Sequence, residues 1–260
     1  MKFNKKTIII ILAIISIIVA IAVIFVSFND TNGEDMSPKD NNTNNEQSVV
    51  QGDTNRNQNQ NTNNKDNSQE VKIFPYNIPD TGLVINKIES YSGEYFEDGS
   101  NSNVSSVATM LLTNNSSSNI EYGEIYVKSG KETLTFVVSG LPKGKNIIVQ
   151  EKNKKTYDGS TDIVCTATVA TLDEFEKNEK LIKIEETDKG AIKVTNVSDK
   201  DIPTVRIFYK YYMDDEEIYV GGITYTAKIS NLKKNDTQEV FPKHYVNGYS
   251  EILMVRLSEE

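Results

Sequence analysis

Few side chains in this 260-residue chain could do chemistry, and their spacing narrows what that chemistry is. A triad based on histidine would need the one imidazole the chain offers. The only histidine, His244, stands in FPKHYVNGY beside a proline and just before an Asn-Gly turn, and reads as a loop residue. The only cysteine, Cys165, lies in IVCTATV, where alternation groups it with Ile163, Ala167 and Val169 as a small core residue. One histidine and one cysteine cannot assemble a usual zinc site within one chain. Asp214, Asp215, Glu216 and Glu217 offer oxygens for calcium but lack the D-x-D-x-D-G spacing, so they read as a solvated hairpin tip. Ile78 to Gly82, IPDTG, imitates a sortase signal without the hydrophobic and basic segment such a signal needs, and reads as a turn feeding the first strand. Neither G-x-S-x-G nor a phosphate-binding glycine loop occurs. No catalytic residue, cofactor or metal is therefore expected. The remaining chemistry is that of contact. In VRIFYKYYM, Val205, Ile207, Tyr209 and Tyr211 fall on one face of a strand and Arg206, Phe208, Lys210 and Tyr212 on the other. The second set, with Tyr219 and Tyr225 beside it, is an aromatic and cationic strip of the kind that contacts peptides or stacks on sugars.

Such a strip needs strands to present it. From about Val71 onward, short β-branched and aromatic runs alternate with Gly, Asn, Asp and Ser clusters, the texture of an all-β sandwich or barrel. An internal repeat organises these runs. LLTNNSSSNIEYGEIYV (Leu111 to Val127) aligns without a gap on KVTNVSDKDIPTVRIFY (Lys193 to Tyr209), at an offset of 82. Leu141 to Val149 then meets Leu232 to Val240 at an offset of 91, and YDGSTDIVC overlays VNGYSEILM at an offset of 89. Asp158-Gly159 and Asn247-Gly248 thus coincide, and each predicts a tight type I′ hairpin. The growing offset locates extra residues in the middle hairpin, which turns at Ser129-Gly130 in copy one and is a longer arm in copy two. About seven strands per copy predict two tandem immunoglobulin-like modules, 71–176 and 177–260, joined by a charged turn or short helix over Leu172 to Lys180. The long hairpin of copy two, Arg206 to Ile229, is where added function is expected.

The Asn-Ser turn, the Tyr-rich strand with Asp-Asp at its hairpin tip (FYKYYMDDEE) and the Leu before the next polar turn resemble FxLYD-type modules, immunoglobulin-like domains of bacterial membrane-anchored envelope proteins. The resemblance covers mainly Ile192 to Val240. It departs from the family at Tyr211-Tyr212-Met213-Asp214, where Leu-Tyr-Asp would stand, and at Lys234-Asn235, where the family has Pro-Gly. It implies a fold and a location, and no catalytic residues.

Thr7 to Phe28 is an apolar run without charge, proline or glycine. At about 1.5 Å per residue its roughly 22 residues make a helix of about 33 Å, long enough to span a bilayer. Lys2, Lys5 and Lys6 precede it and Asp30, Glu34 and Asp35 follow, which keeps residues 1–6 in the cytoplasm and the body outside. Residues 29–70, rich in Asn and Gln, bury too little apolar surface to fold and read as a disordered tether. Net charge is −9, and because the first 28 residues hold three lysines and no acid, the exported part carries −12. That excludes nucleic acid as a partner. The sequence thus reads as a single-pass membrane protein of a bacterial cell envelope whose non-catalytic body binds or scaffolds a protein or a cell-wall glycan. An accessory sensor or subunit acting through the span, or an envelope hydrolase, are the rival readings.

Overall fold

The computed structural model describes residues 73–100 and 102–258, so the expected span and tether lie outside the described residues. Every regular element described is a strand. In order they are β1 (Tyr76–Asn77), β2 (Leu83–Glu94), β3 (Asn103–Asn114), β4 (Asn119–Ser129), β5 (Glu132–Leu141), β6 (Asn146–Gln150) and β7 (Ile163–Leu172), then β8 (Ile182–Glu186), β9 (Ile192–Asn196), β10 (Ile202–Met213), β11 (Ile218–Leu232), β12 (Thr237–Val240) and β13 (Ser250–Ser258). The described part is all-β, as its alternation predicts. In β7, Ile163 and Cys165 are buried while Val164 and Thr166 are exposed. The segment after Leu172 holds turns and no helix.

Three sheets form. Strands β5-β4-β7 and β12-β9-β8 make two small sheets, and a seven-stranded sheet runs β1-β2-β3-β6-β11-β10-β13. Its two parts meet at the parallel pairing of β6 with β11, through Asn146↔Ile218, Ile147↔Tyr219 and Ile148↔Val220. One core joins β2, β3 and β6 to β4, β5 and β7 through Ile85, Met110, Leu112, Ile125 and Phe136, and it also takes in Tyr219 and Leu253 from further along the chain. A second core, with Ile182, Val194, Val205, Ile207 and Ile229, lies between β8-β9-β12 and the β11-β10-β13 end of the large sheet.

The pairing β2-β3-β6 with β5-β4-β7 therefore recurs as β8-β9-β12 with β11-β10-β13. The turns recur atom for atom. Buried Asn114 donates from Nδ2 to the carbonyls of Ser118 and Leu141, and its Oδ1 accepts from the backbone N–H and hydroxyl of Ser116. Buried Asn196 does the same with Lys200, Leu232 and Ser198. An amide side chain is needed because the site asks for a donor and an acceptor at once, as Ala or Asp cannot supply both. Asn114→Ala and Asn196→Ala should each cost about 2 to 3 kcal/mol in urea unfolding, since each strands several buried partners. A loss at only one of the two would show that the turns are not equivalent.

The Asp-Gly and Asn-Gly expectation is corrected. Gly159 and Gly248 have φ of 77° and 80°, but Asp158 and Asn247 are not in the positive-φ region that a type I′ turn requires. Instead Asp158 Oδ1 accepts from the Ser160 N–H and the Ser129 hydroxyl, and this local bonding bends the chain. These loops carry the chain from one sheet to the other, from β6 to β7 and from β12 to β13, so they are not hairpins.

Candidate functional site

The expected strip on β10 is not one continuous surface. Arg206 is exposed, and Phe208 is half-buried under the Arg256 guanidinium, 5.3 Å from its ring centroid, with Arg256 itself paired to Glu121. Lys210, expected on the presented face, is fully buried, and its ammonium donates to the Ile223 carbonyl at 2.7 Å. What covers it is the loop after β2, which sets Glu97 into the same space. One Glu97 oxygen accepts from the Gln150 N–H at 2.8 Å and the other from the Gly222 N–H at 2.7 Å. Burial pushes the Glu97 carboxyl up and the Lys210 ammonium down, each opposed by the other's charge.

Tyr225 does not lie beside the strip. It packs on the opposite side of the sheet against Tyr209 and Tyr211, with ring centroids 5.6 and 5.5 Å away, and stacks on His244 at 4.5 Å. Burial there, with Lys243 adjacent, lowers the His244 pKa. The strand is thus covered on both faces, and Tyr209, Lys210 and Tyr211 are buried in succession, beside a register shift against β11 between Tyr209 and Tyr211.

Tyr212 and Tyr219 remain together. Tyr219 is buried, and its hydroxyl donates to Glu251 Oε2 at 2.6 Å; burial and that carboxylate push the phenol pKa upward. Tyr212 lies over it, with ring centroids 4.7 Å apart, and is half-buried. The Tyr212 hydroxyl accepts from Lys145 Nζ at 3.3 Å, and that ammonium is 3.5 Å from Glu217. The phenol bond, more than Glu217, holds the Lys145 pKa above its usual range.

Tyr212 and Lys145 form one end of a groove of about 840 Å³. Its walls are Ile182, Ile184 and Glu186 of β8 and Ser250, Glu251 and Ile252 of β13, with Lys177 and Glu179 at the segment that joins the halves. It offers an aromatic ring, aliphatic side chains and charges of both signs. That set fits a segment of polypeptide better than a small ion, and among the described residues no group of His, Cys, Asp and Glu is placed to hold a metal. Burial pushes the Cys165 thiol up to about 11, which leaves it an inert core residue.

Reasoning from the sequence missed Glu97, and also Glu151, whose buried carboxylate accepts from the backbone N–H groups of Thr135, Asn153 and Lys155. Nothing local marks either residue, because each acts on chain far from it or on a turn of irregular shape. A third missed feature is Glu124, which takes the hydroxyls of Tyr122 and Tyr126 on β4, a pattern legible as Tyr-x-Glu-x-Tyr on one strand face. No protein-family model matches this chain, and no curated protein matches it.

Proposed function

We propose that this is a single-pass protein of a bacterial cell envelope, anchored by Thr7 to Phe28, whose two tandem immunoglobulin-like modules form a non-catalytic binding or scaffolding body outside the membrane. The charge flanks of the apolar run support the orientation. The recurring pairings and the matched Asn114 and Asn196 turns support descent of the two modules from one. The observation that carries the binding role is the groove, which the half-buried Tyr212 ring lines beside Lys145 while Tyr219 beneath it is sealed into the core. Aromatic and cationic side chains in a concave site are the usual anchors of protein contacts.

A photo-crosslinking amino acid placed at Tyr212 in living cells should capture a partner, and the same group at Val164, exposed on the far small sheet, should not. Equal capture at both positions, or none at Tyr212, would dismiss the groove as the binding site. With the crosslinking group moved to Lys177 on the same groove, Tyr212→Ala should weaken capture and lower the melting temperature less than Tyr219→Ala, which should cost about 3 to 5 kcal/mol as a buried aromatic. In wall-stripped cells, protease added outside should remove the body and leave a short membrane stub. Protection of the body would reverse the proposed orientation.

A further inference from the structure

The two halves differ at one edge. In the first half β1 lies antiparallel along β2, with Tyr76↔Ile85 and Asn77↔Val84, and the Ile78 N–H donates to the Leu83 carbonyl. The Tyr76 side chain packs against the first core, and its hydroxyl accepts from the Cys165 N–H of β7, so it bridges the edges of the two sheets. The strand corresponding to β2 in the second half is β8, and the strand corresponding to β7 is β13. Asn115 N–H donates to the Gly82 carbonyl in one half and Val197 N–H to the Leu181 carbonyl in the other, which sets Leu83 and Ile85 against Ile182 and Ile184.

Among the described residues nothing corresponding to β1 covers β8. The bonds Thr187 N–H to Ala191 and Val197 N–H to Leu181 fix the ladder's alternation, so Lys183 and Glu185 point their backbone groups at β9. Ile182, Ile184 and Glu186 point theirs outward, into the groove they line. Among the described residues only the Ile182 N–H on this edge has a partner, the Asn178 carbonyl. The facing edge of β13 is covered at one point, where the Val255 N–H donates to Glu176 and its carbonyl accepts from Asn178 Nδ2.

We propose that this groove accepts an extended peptide segment of a partner protein, added antiparallel to β8 as β1 is added to β2. This rests on the reading of the groove as the binding site. The row of unpaired N–H and C=O groups at strand spacing is what another backbone satisfies, and a glycan or a small molecule does not match it. By analogy with Tyr76, an aromatic or branched apolar residue of the segment sits opposite Ile184, facing Ile252 across the groove. Near the β8 start the groove carries charges of both signs, Lys177, Glu179 and a Lys183 paired to Glu185, whereas Glu186 lines its end, so a basic residue suits the first position of an antiparallel segment.

The probe is a pool of fluorescent hexapeptides with Tyr or Ile at alternate positions and Lys or Glu between them, titrated into the full chain in mild detergent. Expected are saturable binding and new hydrogen-exchange protection at the Ile184 amide but not at Lys183, whose N–H is already in the ladder. Ile184→Pro removes the outward N–H at an edge position where proline is tolerated, and should weaken binding at least about tenfold. Ile184→Val keeps that N–H and should stay within about twofold; unfolding of the proline variant would be read from its melt, and N-methylation of alternate peptide amides then serves as the same test. No binding up to about 1 mM, or binding indifferent to both changes, overturns the proposal. So does protection of Ile184 without peptide, through pairing with a second copy or with the chain's own Ser48-Val49-Val50. If a group at Tyr212 still captures a partner in cells after such a failure, the binding groove stands and only the strand-addition mode falls.

Discussion

Gly222→Ala is expected to destabilise the body by about 3 kcal/mol, the upper range for overpacking, and to lower the melting temperature by roughly 6 to 12 °C in a domain of this size. A Cβ at Gly222 would stand 1.8 Å from the Val137 carbonyl oxygen and 2.9 Å from its carbon. Those are backbone atoms of β5, so no side-chain rotation relieves the clash. The substitution would also push the Gly222 N–H away from Glu97. Gly159→Ala is the control. A Cβ there meets nothing within 4 Å, and its only cost is the φ of 77°, about 1 kcal/mol. Equal losses from the two substitutions would mean that β5 and β11 are not packed this closely.

Glu97→Ala is expected to cost about 3 to 5 kcal/mol, because it leaves the Lys210 ammonium buried without its counter-charge and two backbone N–H groups without an acceptor. Lys210→Met alone should be milder, since methionine fills the volume and Glu97 keeps both of its N–H donors. The double variant Glu97→Gln with Lys210→Met should recover most of the loss, because the Lys210 charge is then removed along with the Glu97 charge that opposed it. Urea unfolding of the three variants measures this. A loss under 1 kcal/mol for Glu97→Ala would show that water reaches the pair in solution. Because Glu97 belongs to the first half and Lys210 to the second, the loss should lower a single transition and not one of two.

What could be read from the sequence was whatever short-range chemistry determines. The offset of 91 pairs Gly140 with Asn231 and Gly144 with Asn235, and all four have positive φ, from 55° to 73°. Only Gly and Asn adopt that region cheaply, so backbone shape left its mark on residue type. Alternation likewise placed Cys165 inside β7. The aromatic strip was legible only in part. Alternation rightly put Lys210 on the face away from Tyr209, but the cover over that face comes from Glu97, far earlier in the chain, and no periodicity reports a loop arriving from elsewhere. Tyr225 was misplaced for a related reason. It lies directly opposite Tyr209 across β10 and β11, so it shares that residue's face, and registry between strands cannot be read from either strand alone. The groove was invisible because it is defined by a β8 edge that has no neighbouring strand among the described residues.

The parallel junction of β6 with β11 bears on the order in which the chain is made. Asn146 must find Ile218, 72 residues later, and until that partner is synthesised the edge of β6 shows the unpaired backbone of Asn-Ile-Ile-Val-Gln. Contacts this distant in sequence close late, since the loop entropy must be met before the pairing rewards it. A nascent first half is therefore a sticky intermediate, with an apolar strand edge open to other chains. Its exposure ends only when the second half arrives, so the speed of synthesis through residues 151–220 sets how long each molecule is at risk of aggregation.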